Sequence, residues 1–230
     1  MIDIYYTKFK APLAPATFAK MLATLPACLK IKNNKFVRWQ DKSAHLFGVL
    51  LLKHGLNHHH LDPSLIETLK YTSNNKPYID ASFDFNISHS GDYVVCAISK
   101  EKNIGIDVEQ VRQIEIDDFR NVFTPSQFEQ IKKAADPLNT FFSYWVKKES
   151  MIKADGRGFS IYLDKIEFEN NTIVFENKKW QLHEIPIRSG YHCALCSQDE
   201  NPVIRYFNLD FFTTLTDLTN LTPVISMGCI

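Results

Sequence analysis

Residues 145–153, WVKKESMIK, place a tryptophan, a carboxylate and an ammonium at steps of four. Side chains four apart share one face of a helix, so Trp145, Glu149 and Lys153 form a single stripe. An exposed Glu–Lys pair of this kind stabilises a helix by only about 0.2–0.5 kcal/mol, and taken alone the stripe reads as a solvated face. A second charged pattern lies in NIGIDVEQV, residues 103–111. Ile104, Ile106 and Val108 alternate with Gly105, Asp107 and Glu109, the period of a half-buried strand. Period two puts Asp107 and Glu109 on one face, where their charges repel. Acids on an edge strand that deter aggregation explain this as well as a site for a hard cation with oxygen ligands does.

Two further segments carry polar groups that suit an anion. In FNISHSGDYVVCAIS, residues 85–99, Asn86, Ser88, His89 and Ser90 cluster where a strand meets the turn Gly91-Asp92. Such donors serve phosphate binding and backbone capping equally well. In NNKPYI, Lys76 precedes Pro77, which forces an extended or turn conformation beside a cation. Combined, Asp107, Glu109 and Glu149 make a three-carboxylate metal site. Lys153 stands one turn beyond, with His89 and Lys76 as anion partners. A divalent ion ringed by cations is what a diphosphate needs, because bare carboxylates repel it.

The elements that must hold these groups alternate between strands and helices. Ile2–Tyr6 reads as a strand, and Pro15 opens a helix with Phe18, Met21, Leu22 and Leu25 on one face. A longer helix is expected from about Asp41 to Lys53, burying Leu46, Phe47, Leu50 and Leu51 and stopped by Gly55. His58–His60 reads as a polar loop after it. Strands follow at 85–87, 93–99 and 104–108. Thr124-Pro-Ser-Gln127 is a capping box with proline at the first helical position. A helix from about Leu138 to Ala154 ends at Gly156. Strands are expected at 165–169, 172–176, 180–184, 191–196 and 203–208.

Ser90-Gly91 before Cys96-Ala97-Ile98 is echoed by Ser189-Gly190 before Cys193-Ala194-Leu195. The echo favours two similar α+β halves, a pseudo-dimer in which each half is a small, mainly antiparallel sheet packed with a long helix. The expected division is residues 1–103 for the adenine and phosphate side and 104–230 for the metal site and catalytic helix, joined near Lys100–Asn103.

Composition narrows the class. With 17 Phe, nine Tyr and three Trp in 230 residues, the chain is globular. Basic and acidic residues balance at 26 each, which argues against a broad nucleic-acid surface. The start MIDIYYTKFK does not read as a signal peptide, no membrane-spanning run is expected, and five cysteines without a framework suit a reducing, cytoplasmic setting. Cys193 and Cys196 form a CxxC within a strand, which holds them ~10 Å apart on opposite faces, too far for a disulfide. They are expected as buried small residues.

The order of NISHS, GIDVE and WVKKESMIKADGRG resembles the 4′-phosphopantetheinyl transferases of the surfactin-synthetase-activating type. The motifs span about residues 70–160. The resemblance implies two similar halves with coenzyme A in the cleft between them. It implies transfer of 4′-phosphopantetheine from coenzyme A to a serine of an apo acyl or peptidyl carrier protein, releasing adenosine 3′,5′-bisphosphate. By the same resemblance Asp107, Glu109 and Glu149 match the ligands of Mg²⁺, with Mn²⁺ as the alternative ion. Lys153 and Glu149 match the catalytic pair. Lys30, Lys32, Lys76, Pro77, Ser88, His89, Asp107, Lys148 and Lys153 match positions that hold coenzyme A. Ala44 stands where many relatives carry an arginine for the 3′-phosphate, with His45 beside it and Lys30 and Lys32 upstream. Segment 111–123 matches the surface that contacts the carrier. The expected protein is a monomer without nucleic-acid or membrane partners. The rival readings are a non-catalytic coenzyme A- or nucleotide-binding protein and a metal-dependent nucleotide phosphohydrolase.

Overall fold

The computed structural model describes residues 1–100 and 103–212, except for the side chain of Phe159. The expected junction at 100–103 therefore falls partly outside the described residues. The first half opens with β1 (Ile2–Lys8), α1 (Pro15–Ala23), α2 (Ala27–Lys35) and the long α3 (Trp39–His58). A short hairpin, β2 (Lys70–Tyr71) and β3 (Pro77–Tyr78), precedes the hairpin of β4 (Asp84–Ser90) and β5 (Tyr93–Ser99). The second half runs through β6 (Gly105–Gln110), α4 (Pro125–Lys133), the long α5 (Pro137–Asp155), β7 (Phe168–Glu169), β8 (Thr172–Phe175), β9 (Lys178–Glu184) and β10 (Tyr191–Ser197). A further strand, β11 (Ile204–Asn208), follows.

The architecture is α+β with two sheet-and-helix halves. One sheet has the order β11-β1-β5-β4 and the other β6-β10-β9-β8-β7. Within them β1-β5-β4 and β6-β10-β9 repeat one antiparallel arrangement, so the echo in the sequence is an echo in topology. Ala97 faces Ile4 across its ladder, and Ala194 faces Asp107 across the other. The same slot thus carries a core residue in one half and an acid in the other. β11 crosses back to pair in parallel with β1.

Period-two burial sorts each strand between layers. Ile2, Ile4, Val95 and Ala97 meet Ile104, Ile106, Val108 and Leu195 in an apolar layer between the sheets. On the outer side, α3 packs Leu46, Phe47, Leu51 and Leu56 with Phe85, Cys96 and Ile98. α5 packs Met151, Ile152 and Ala154 with Trp180, Leu182 and Cys196. Cys193 and Cys196 are buried and unpaired in separate clusters, as the CxxC reading expected.

The edges of the two sheets are joined by side chains. Alternate β4 residues accept from alternate amides of β6 and the residue before it: Asp84 from Ile104 (3.1 Å), Asn86 from Ile106 (2.9 Å), Ser88 from Val108 (3.4 Å) and Ser90 from Gln110 (3.2 Å). Both strands advance two residues per step, so one row of short polar side chains stands in for a backbone ladder.

Three expectations need correction. Gly55 does not stop α3 but lies inside it, where a β-carbon would run into Ile98 and Tyr5. The triple histidine is not a polar loop: His58 ends the helix with Nδ1 2.7 Å from the Tyr5 hydroxyl, and His59 Nε2 lies 2.9 Å from the buried Asp3 carboxylate. The strand expected at 165–169 is reduced to β7, because the carbonyls of Leu163 and Ile166 bind the Lys148 ammonium in a 3₁₀ turn.

Candidate active site

α5 is built to present its last two turns. Asp136 caps its start by accepting from the Asn139 amide, and Pro137 occupies the first position. Gly156, at φ 86°, closes it by donating to the Ile152 carbonyl. That left-handed conformation is why the helix ends there. Trp145 anchors the stripe by stacking on Phe141, with Phe119 edge-on to both. Phe119 is thus half-buried, a packing residue within segment 111–123. Further along, β6 comes against α5 where Gly105 meets Ser150 and Ala154, a gap too small for any β-carbon. Gly105, Asp107 and Glu109 then share the α5 face.

At this contact Lys153 Nζ lies 2.6 Å from Asp107 Oδ1 and donates to Ser88 Oγ at 2.9 Å. Ser88 donates to the same Asp107 oxygen at 2.8 Å. Asp107 Oδ2 and Glu149 Oε1 are buried without a hydrogen-bond partner. Burial pushes the Asp107 carboxyl up, against the pull of Lys153. Burial, then Asp107, pushes Glu149 up to about 7. Glu109 is engaged: Oε2 accepts from Ser90 at 2.6 Å and from Arg112 at 3.0 Å. Among the described residues no three acids converge as a formed metal site. The donor set nonetheless fits a hard cation: two buried, unpartnered carboxylate oxygens beside a third acid suit oxygen coordination.

Glu149 and Lys153 open onto a cavity of about 510 Å³, walled by Asn74, Lys76, Pro77, Asn86 and Gly156 among others. Both halves contribute to it. Lys76 reaches the Asp84 carboxylate (3.6 Å) and the carbonyls of Ile104 and Ala154, tying the β2–β3 hairpin to the end of α5. Ser88 points toward β6, and the adjacent His89 stands on the opposite, solvent side of β4. The His89 ring is held below its usual range by desolvation, then by Lys153.

The other expected binders stand apart. Lys148 is fully buried, 2.7 Å from each of its two carbonyl partners, and burial lowers it to about 7. Lys30 reaches the Ala23 carbonyl, and Lys32 lies on the Tyr71 ring and donates to its hydroxyl. Ala44 is a core residue, 2% exposed. Sequence reasoning did not assign Asn86 to the cavity wall, although NISHS contains it. It also gave no sign that His45, lowered to about 4 by burial, Lys32 and His89, keeps an unpartnered Nε2.

Residues 103–196 match the 4′-phosphopantetheinyl transferase superfamily, and residues 12–101 match the family described as 4′-phosphopantetheinyl transferase, N-terminal. A 4′-phosphopantetheinyl transferase of Bacillus subtilis is 34% identical over 168 residues, 71% of this chain and 74% of that protein. The chain belongs to the 4′-phosphopantetheinyl transferase superfamily. Within it, the transferase Sfp of Bacillus subtilis strain 168 is 30% identical over 210 residues, covering 85% of this chain and 92% of its own length. A more distant relative is the human L-aminoadipate-semialdehyde dehydrogenase-phosphopantetheinyl transferase, 28% identical over 242 residues, 84% of this chain and 78% of that protein. The two matched families meet between residues 101 and 103, between β5 of one sheet and β6 of the other.

Proposed function

We propose that this phosphopantetheinyl transferase moves 4′-phosphopantetheine from coenzyme A to a serine hydroxyl of an apo acyl or peptidyl carrier protein. The observation that carries the residue assignment is the Lys153–Ser88–Asp107 contact beside an unpartnered Glu149, at a cavity both halves line. Division of labour at 103/104 belongs to the same proposal, with residues 1–103 contributing Lys76, Pro77 and His89 and the rest the acids and α5.

In this reading Asp107, Glu109 and Glu149 hold Mg²⁺ or Mn²⁺, which when bound neutralises diphosphate charge as a Lewis acid. The protein's own groups do the rest. Lys153 holds negative charge as it develops on the departing phosphate. That group's second pKa is near 6, so it leaves without needing a proton from the ammonium. Glu149, which opens onto the cavity, is the carboxylate placed to take the proton from the incoming serine. Lys76 supplies further positive charge at the cavity wall, and His89, kept toward its neutral form by desolvation and Lys153, offers ring nitrogens for hydrogen bonding. Lys30, Lys32 and Lys148 belong to the binding reading through the family pattern. For Lys148 that role is support of α5 from behind.

The test combines protein, coenzyme A, Mg²⁺ and an apo carrier, followed by intact mass of the carrier. A gain of one phosphopantetheine supports the proposal. Consumption of coenzyme A without that gain points to hydrolysis, and binding without turnover to a non-catalytic protein. No described helix is long and apolar enough to cross a membrane.

A further inference from the structure

Ser88 and Ser90 make the same pair of contacts two residues apart. Ser88 accepts from the Val108 amide and donates to the carboxylate of the preceding residue, Asp107. Ser90 accepts from the Gln110 amide and donates to the carboxylate of the preceding residue, Glu109. Each hydroxyl therefore reads both the height of β6 and the direction of one acid. We infer that Ser90 is a positioning residue of the acid site, clamping Glu109 as Ser88 clamps Asp107. The inference rests on the metal reading given above.

The geometry makes the clamp directional. Ser90 and Arg112 both donate to Oε2 of Glu109, at 2.6 and 3.0 Å. The guanidinium is itself steadied over the Phe142 ring, 5.3 Å from its centroid. With Oε2 held twice, rotation of the carboxylate is stopped and Oε1 is the oxygen left to turn toward Asp107 and Glu149. Ligating carboxylates ordinarily need such outer partners, because an acid that rotates freely must be ordered when the ion arrives. Ser90 is the stronger of the two holders. It sits on a strand whose side chains bond β6 at three successive steps, whereas Arg112 is 55% exposed.

The decisive pair is Ser90→Thr and Ser90→Val, nearly isosteric and differing in the hydroxyl. Mn²⁺ binding to the coenzyme-free protein is followed by electron paramagnetic resonance, with urea unfolding run alongside. Ser90→Thr is expected within about twofold of wild type, and Ser90→Val about tenfold weaker. In a Glu109→Gln background, exchanging Thr for Val should change nothing further. Equal affinity of the Thr and Val variants, or tighter binding in Ser90→Val, overturns the inference, the latter because it would mean the serine holds Glu109 away. If Ser90→Val unfolds early, Ser90→Ala replaces it in the same comparison. Asp107→Asn is the separate control: undiminished Mn²⁺ binding there defeats the metal reading itself.

Discussion

Asp3 and Asp107 are both buried aspartates near the start of the first strand of their sheets, yet they are held in opposite ways. Asp3 receives a two-pronged grip from Arg205, at 2.7 and 2.6 Å, with His59 2.9 Å away. Burial alone would raise its carboxyl, but His59 and Arg205 together bring it down to about 2. Asp107 has both its donors on one oxygen and none on the other, and burial prevails, raising it. A fully satisfied buried charge is architecture. A half-satisfied one has been left free to meet something else, at the cost of local stability.

Exchanging each aspartate for asparagine tests that contrast most severely. Asp107→Asn should lower transfer more than a hundredfold, on the order of 3 kcal/mol or more of lost transition-state charge stabilisation. Its thermal midpoint should hold or rise. Asp3→Asn should do the reverse, keeping the specific activity of folded protein while losing roughly 2–3 kcal/mol in urea titration, less than for a wholly buried pair because Arg205 is 41% exposed. Transfer rates and unfolding curves that moved together in both variants would erase the distinction.

The two glycines at close approaches sharpen it. Gly105→Ala would press on α5 backbone, which cannot step aside without shifting Glu149 and Lys153. A loss of about 3 kcal/mol, with activity falling in the molecules still folded, is expected. Gly55→Ala would press on Ile98 and Tyr5 side chains in the other half, so about 1–3 kcal/mol should be lost without change in the turnover of folded protein. Mass-spectrometric transfer assays normalised to folded fraction separate the two.

Acid titration gives a smaller effect. Asp3 has its folded pKa depressed to about 2 from 3.8, so its contribution is present above pH 4 and disappears as pH falls toward 2. The sum is about 2 kcal/mol. Asp3→Asn should flatten that part of the stability–pH curve, read by urea midpoints at successive pH values. Smallest is Lys30→Ala with Lys32→Ala. Both ammonium groups are exposed, so the loss of coenzyme A affinity should be only severalfold and should fade at high salt. A large, salt-insensitive loss would make α2 part of an enclosed phosphate pocket.

What local sequence disclosed was whatever local physics decides. The capping box at Thr124 and the stop at Gly156 are settled within a few residues, and each formed as read; β6 formed as a strand but not half-buried, because α5 covers the face of Gly105 and Asp107. The topological repeat was visible because two turns and two strands carried the same residues. Gly55 was misread because a glycine at the end of a periodic run signals either termination or close contact, and its contacts, Tyr5 and Ile98, are distant in sequence. His59 was misread for the same reason, since its partner is Asp3. α2 escaped notice because Ala27–Lys35 shows almost no apolar face. At the site, residue types announced acids and a lysine. That Ser90 would take Glu109, or that Lys148 would turn away toward Leu163 and Ile166, depends on a strand edge and a 3₁₀ turn that no spacing encodes.

The parallel pairing of β11 with β1 bears on how the protein is made. Asp3 and its guanidinium partner are 202 positions apart, so a chain growing on the ribosome exposes the β1 edge, with His59 but not Arg205 available to the acid, until synthesis has passed residue 205. The first half therefore completes its sheet after the second half has been translated. A nascent chain in that interval presents an unpaired, apolar strand edge, the kind of surface that chaperones bind and that invites pairing with a neighbour on the same messenger.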